Sequence, residues 1–339
     1  GVTEAGNFEG TTVLTQSATV DDLAERFDPD PDEVRTLLDT AMDRARAARA
    51  ERPRPPRDEK VLAGWNGLLI TALAEGALAL DDRDATLATD ALQFVREHLW
   101  DGETLAHRYK DGDVTGEGYL EDYAFLARGA LALHGATGDL APLEFALDLG
   151  RAIEDRFWDA DRGTLYFTAG GGDGLPVRPQ EVSDQSTPSS MGVAVTVLSA
   201  LSAFDPDAGF DEIAERVLRT HAESVQENPG QYATLALAAD DVALGHLEVT
   251  VAADEIPTDW RRLLGREYVP ARLLTRRPPD DATLEKWLDR LGLEEAPPIW
   301  AGRAARDGPT AFVCRQACSP PLDDVDDVRS WLDELRPRV

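Results

Sequence analysis

RPRPPRDEKVLAGWNGLLITALAEGALAL (52–80) runs from a proline- and arginine-rich stretch straight into a long apolar segment. Asp58, Glu59, Lys60, Trp65 and Asn66 crowd the join. Residues 61–80 have the length of a membrane span. They also carry Glu75 and three glycines, with charges hard against their start. Similar runs recur at 187–204 and 231–244, each too polar or too short to span. Buried helices of a soluble protein account for all three, so no membrane partner is expected.

Working outward, apolar segments alternate with amphipathic ones. PDPDEVRTLLDTAMDRARAARA (29–50) reads as a surface helix, with acids in its first turn and arginines in its last. The apolar segment from about Trp65 to Leu80 precedes amphipathic DRDATLATDALQFVREHLW (82–100). Apolar 118–139, 187–204 and 230–244 interleave with amphipathic 140–158 and 211–226. A helix apolar on every side must be covered on every side, whereas an amphipathic one needs a single partner face. The alternation predicts inner helices ringed by outer ones, with inner starts near 66, 120, 187 and 231. The fold class read here is mainly α, a partial (α/α)6 toroid of about four hairpins over 1–245. From His246 the pattern changes to strand-like HLEVTVAAD and TAFVCRQA and helical DWRRLLGREY and DVDDVRSWLDEL, a small α/β segment over 246–339.

The chain has 339 residues and a net charge of −30, and only three of its 34 basic residues, Lys60, Lys110 and Lys286, are lysine. Acids spread along a lysine-poor chain suit a halophile's cytoplasmic protein, where molar salt screens self-repulsion. An acidic surface for a basic partner is the rival reading. No basic stripe exists to neutralise phosphates, which disfavours nucleic acid. No charged-then-apolar leader opens the sequence, so secretion is not indicated. Cys314 and Cys318 are the only cysteines. They read as two ordinary buried thiols, the rival being a redox or metal-binding pair.

In a toroid the inner helices begin at one rim, and three consecutive starts carry polar and aromatic residues: RDEKVLAGWN (57–66), GYLEDYAF (118–125) and SDQSTPSS (183–190). Helix N-termini there offer free N–H groups suited to hydroxyl-rich or anionic ligands. Asp58 and Asp122 are candidate acid/base groups. Lys60, Trp65, Asn66, His107, Arg108, Glu121, Tyr123, Asp184 and Gln185 are candidate substrate-binding residues, with Trp65 and Tyr123 as ring platforms for a sugar. Glu121 and Asp122 are adjacent and point about 100° apart on a helix. Asp122 is the one expected to face the lumen. Asp184, Ser186 and Thr187 also read as ordinary N-cap residues, with Pro188 at the first helical position. No histidine sits in a metal motif, and no P-loop, nucleophile elbow or dinucleotide fingerprint occurs, so no metal or cofactor is expected. GGGDG (170–174) reads as a flexible loop.

GVTEAGNFEGTTVL, the 52–80 stretch, GYLEDYAFLARGALALHGATGD, FWD at 157–159 with TPSS at 187–190, and TAFVCRQACSPP together resemble the spermatogenesis-associated protein 20 family. Its bacterial and archaeal members are usually described as thioredoxin-domain proteins. The resemblance implies an N-terminal thioredoxin-like domain followed by a six-hairpin toroid similar to N-acylglucosamine 2-epimerases and related glycosidases. No Cys-x-x-Cys occurs here, so the redox role does not carry over. GVTEAGNFEG resembles a point well inside the family's toroid. The chain thus looks like the family's C-terminal portion, a fragment or split-gene product. The paired histidines of the epimerases find no clear match. The expectation is an epimerase- or glycosidase-like toroid with a sugar ligand. The alternative is a non-catalytic scaffold packing against a thioredoxin-like domain or the missing upstream half. An open toroid would expose apolar inner surface, so a homodimer or such a partner is expected.

Overall fold

The computed structural model describes residues 2–80, 83–170 and 177–335. The chain divides into a unit of residues 1–59 and a unit of residues 60–339. In the first, helix α1 (Val20–Phe27) packs on α2 (Pro31–Ala50). Thr19 and Asp22 form a capping box that opens α1. Asp30 caps α2 ahead of Pro31 at its first position.

The larger unit is built from hairpins. Inner helices α3 (Ala63–Ala79), α5 (Leu120–Thr137), α7 (Ser190–Leu201) and α9 (Ala233–Leu244) alternate with outer α4 (Arg83–Leu99), α6 (Leu140–Phe157) and α8 (Phe210–Glu227). Each inner helix packs on the next, α3 on α5, α5 on α7 and α7 on α9, and the outer helices cover them. This is a partial helical-hairpin toroid in a mainly α chain, as the alternation of apolar and amphipathic segments predicts.

α3 and α5 approach closely because glycines face each other across the contact. A Cβ on Gly129 would lie 2.7 Å from the Gly67 carbonyl oxygen, and one on Gly67 would collide with the Phe125–Leu126 backbone. Fully buried Phe125, Leu126, Leu133, Met191 and Leu198 fill the interior. The far flank of α3 is open, leaving Trp65 63% and Leu69 51% exposed.

Short sheets tie the helices together. Strands β1 (Val61–Leu62), β2 (Ala106–Lys110) and β3 (Asp113–Glu117) form an antiparallel meander. It turns at Asp111 and Gly112, both with positive φ, as a tight hairpin requires. β4 (Trp158–Asp159) pairs with β5 (Thr164–Leu165). The GGGDG loop falls outside the described residues from 171 onward.

After α9 come β6 (Leu247–Ala252), α10 (Thr258–Arg266), β7 (Arg272–Arg277), α11 (Asp281–Leu291), β8 (Thr310–Cys314) and α12 (Val325–Leu335). β6 is central, parallel to β7 and antiparallel to β8. β7 and α11 are elements that the strand-like and helical stretches expected over 246–339 do not include. The segment packs on the C-terminal ends of the inner helices. Buried His134 near the end of α5 bonds Thr275 of β7 through Nε2 at 2.8 Å and the Asp139 carbonyl through Nδ1 at 2.7 Å. Trp300 Nε1 donates to the same threonine oxygen at 3.2 Å.

Cys314 and Cys318 form a disulfide, correcting the reading of two ordinary thiols. The chain reverses tightly after β8 and brings the two residues into an antiparallel bridge, with Cα atoms 4.1 Å apart. Among the described residues no helix is long and apolar enough to cross a membrane.

Candidate functional site

The inner helices of the larger unit begin at one end, where one aspartate joins the starts of α3 and α5 and another those of α7 and α9. Asp122, in the first turn of α5, is 1% exposed. Its Oδ1 accepts the Gly64 amide of α3 at 2.8 Å, and its Oδ2 accepts the Tyr119 amide at 2.9 Å. Asp184 does the same for α7 and α9. It accepts the Ser189 amide ahead of α7 at 3.1 Å and the Thr234 amide of α9 at 3.0 Å, besides the Thr234 hydroxyl. Burial raises the Asp184 pKa, but the bonds from Thr234 and Ser189 prevail and hold it below the usual value. The cap of α7 itself is Ser189, whose hydroxyl accepts the Gly192 amide at 3.2 Å. Asp184, Ser186 and Thr187 lie too early for that position, and Pro188 stands before the helix.

The β2–β3 hairpin delivers a histidine to this rim. His107 Nδ1 lies 2.8 Å from Asp122 Oδ2. That hydrogen bond is the main reason its pKa is raised, with burial opposing. Tyr119 packs edge-on to the imidazole at 5.2 Å and stacks on Phe167 at 4.8 Å. Glu121 is half-buried beside them. Desolvation, then the charges of Asp122 and Glu181, push its carboxyl up to about 7.

Ligand atoms of His107, Glu121 and Asp122 lie within 4.8 Å of one another, close enough to share a cation. Asp122 already accepts bonds from two backbone amides and sits against the imidazole, so the group is a hydrogen-bonded acid/base cluster. Its two titratable members outside the cap, Glu121 and His107, both have pKa values raised from their usual range. Such a pair can exchange protons with a bound ligand.

The structure brings together three of the residues singled out in the sequence, His107, Glu121 and Asp122. Trp65 is on the first turn of α3 and largely exposed, and Asn66 bonds back to the Leu62 carbonyl at 2.8 Å. Tyr123 is fully buried among Trp100 and Phe157, and its hydroxyl accepts the Leu105 amide at 2.7 Å. It is a core residue with no face open to a ring. Arg108, next to His107 on β2, reaches Asp113 and Thr115 on β3 at 2.9 and 3.0 Å. Gln185 is exposed and bonds Ser183 at 3.3 Å. Lys60 is exposed at the start of the larger unit, and Asp58 belongs to the smaller one.

Glu181, Tyr119 and Phe167 are not among the residues expected from the sequence. Tyr119 lies inside the quoted GYLEDYAF stretch, and Glu181 three residues before Asp184 in EVSDQ, so both could have been found at the rim starts.

No family model matches the chain. It is 31% identical over 360 residues to spermatogenesis-associated protein 20 of Homo sapiens, covering 98% of this chain and 45% of that protein. The Rattus norvegicus and Mus musculus proteins of the same name are each 28% identical, over 98% and 97% of this chain and 45% and 43% of theirs. The chain therefore spans less than half the length of these relatives. Among solved structures, an inactive variant of an alpha-1,6-mannanase of Salegentibacter sp. HEL1_6 in complex with alpha-1,6-mannotriose aligns over 86% of this chain and 81% of its own. The TM-score is 0.34 and the identity 12%. Likeness at that level establishes neither fold nor activity. By its near full-length identity to the curated relatives, the chain belongs, through this stretch, to the spermatogenesis-associated protein 20 family.

Proposed function

We propose that the rim where α3, α5 and α7 begin binds a carbohydrate and acts on it by proton transfer, in the manner of an epimerase or glycosidase. The observation that carries the reading is Glu121, a half-buried carboxyl with its pKa near 7, beside the His107–Asp122 pair. A carboxyl of that pKa can serve as a general acid near neutral pH. Asp122, buried and bonded through both oxygens, is the positioning residue that orients His107. Glu121 takes the acid/base role, and Glu181 is the partner carboxylate. The exposed Trp65 and the stacked Tyr119 and Phe167 supply aromatic faces of the kind on which sugar rings pack.

The test is thermal melting of the chain in molar KCl against a panel of mono- and disaccharides, with Glu121→Gln alongside. A sugar that raises the melting temperature of the wild type and is turned over only with Glu121 present supports the reading. Cooperative melting that no sugar moves removes it.

A second reading is favoured by the open flank of α3, where Trp65 and Leu69 are exposed. On it the unit is a scaffold whose inner layer docks onto a partner, such as a second copy or a thioredoxin-like domain. Size-exclusion chromatography of Trp65→Ser separates the two. A change in oligomeric state with unaltered sugar response favours docking.

A further inference from the structure

We propose that Cys314 and Cys318 form a reversible redox pair in which Cys318 is the thiol that exchanges with external thiols and disulfides, and Arg303 stabilises its thiolate. The two residues differ in access. Cys314 ends β8 and is 4% exposed, whereas Cys318 lies on the exposed turn that follows. An asymmetric pair of one reachable and one buried sulfur is the arrangement thiol–disulfide exchange needs, because attack is then directed to a single sulfur.

A cation stands at the reachable one. The Arg303 side chain is nearly buried, and its Nη2 lies 3.7 Å from Cys318 Sγ. Thr250 Oγ1 accepts from Nη1 at 2.9 Å and Glu248 Oε2 from Nη2 at 2.8 Å, which fixes the guanidinium. Arg303, from the 300–309 loop, bonds the sulfur, and Glu248 of β6 is its ion-pair partner. Arg315, within the turn, is directed instead to the Leu335 and Pro270 carbonyls. A guanidinium beside a thiol favours its thiolate, the nucleophilic form. The cross-link also closes a loop of only three intervening residues. Such a short loop restrains the unfolded chain little, so stability alone is a weak reason for the bond.

The thiolate of a dithiol reductant, or of glutathione, attacks Cys318 Sγ. The Sγ–Sγ bond breaks, and Cys314 leaves as a thiolate that takes a proton from solvent. A second reductant thiol attacks the mixed disulfide and releases Cys318 as a thiolate beside Arg303. The reductant ends as its own disulfide, having given up two electrons. Oxidation is the reverse, with Cys318 attacking the external disulfide and Cys314 resolving the adduct.

The full chain would be equilibrated in mixtures of reduced and oxidised glutathione, quenched with acid, alkylated and weighed by mass spectrometry. The expected result is a smooth conversion from the disulfide to two alkylated thiols within that range. A pair that stays oxidised in every glutathione mixture, and opens only in excess dithiothreitol, is a structural cross-link and overturns the proposal. So does a pair that remains as two thiols in oxidised glutathione alone.

The assignment of roles has its own readout. With oxidised glutathione, Cys314→Ser is expected to gain one glutathione about 10-fold faster than Cys318→Ser. Equal or reversed rates overturn it. In the Cys314→Ser background, Arg303→Gln should slow alkylation of Cys318 at pH 7 about 3- to 10-fold, and Arg303→Lys should retain most of the rate. An Arg303→Gln rate equal to that of the parent overturns the part given to the guanidinium.

Discussion

Asp122 Oδ1 accepts the backbone amide of Gly64 at 2.8 Å, so one carboxylate caps two neighbouring inner helices at once. The same side chain holds the Tyr119 amide and His107. A buried carboxylate that satisfies several donors is costly to alter, because each lost partner leaves a desolvated group behind. Asp122→Asn places an N–H₂ where one acceptor stood, and we expect a loss of about 2–4 kcal/mol in urea unfolding. Glu121→Gln, one residue away, is expected to cost less than about 1 kcal/mol. Reversal of that order would mean that Asp122 is not the cap of both helices.

Glu121 gives a pH signature of opposite sense to the usual carboxylate. Its folded pKa is about 7 against an ordinary value of 4.5, raised first by desolvation and then by Asp122 and Glu181. Between those values the folded chain holds a proton that the unfolded chain has lost. Stability from this group is therefore present below pH 4.5 and lost as pH rises through about 7. Because the side chain is half-exposed, solvent screening reduces the effect to on the order of 1 kcal/mol. Glu121→Gln should remove this part of the pH dependence and melt above the wild type at pH 8. Parallel pH profiles for the two proteins would refute the assignment.

His134 acts at the other end of the inner helices and with the other sign. Burial holds its pKa down at about 4, against 6.5 for the free side chain. Its two ring nitrogens are engaged by the Asp139 carbonyl and Thr275 Oγ1. From pH 6.5 down to about 4 the unfolded chain binds a proton that the folded one refuses, so stability falls as pH drops through that window. The full shift corresponds to an upper limit of about 3 kcal/mol. His134→Gln should flatten the acid side of the stability profile between pH 6.5 and 4 while lowering stability at pH 7. An unchanged acid limb would show that other groups govern it.

The layered helices were legible in the sequence because 61–80, 118–139 and 187–204 are apolar on all sides, a pattern only burial explains. Their observed starts at Ala63, Leu120 and Ser190 lie within three residues of the expected ones. The rim was legible as a region, and its internal roles were not. Glu121 and Asp122 are neighbours; Asp122 is the one expected to face the lumen, and composition does not say that it turns toward α3. That choice is made by the Tyr119 amide, which donates to the Asp122 carboxylate, and by the glycine at 64 that lets the two helix starts meet. His107 reaches Asp122 through the register of a short hairpin whose strands, AHRYK and DVTGE, are too polar to stand out. β7 was hidden because RLLTRR pairs as an edge strand beside a Pro-Pro pair that reads as a break.

The inner layer closes up at the contact between α3 and α5. Gly129 faces the Gly67 carbonyl so nearly that a Cβ would stand 2.7 Å from it, and Gly67 has the Phe125–Leu126 backbone against its own vacant Cβ position. Helix propensity alone favours alanine over glycine at an interior position by about 1 kcal/mol. At Gly67 the obstruction is backbone, which has no rotamer to move, so α3 and α5 must separate. Overpacking of that kind costs about 1–3 kcal/mol beyond the propensity gain. Gly67→Ala should therefore lower the unfolding midpoint in urea. Gly76→Ala on the same helix meets only the Asp84 side chain at 3.0 Å, which can swing aside, and should be neutral or stabilising. Because the Gly67 contact lies just below the rim, its substitution should also loosen the Asp122–Gly64 bond, read as faster amide exchange at Gly64. Equal midpoints for the two alanine variants would show that the layer is not held by this close approach.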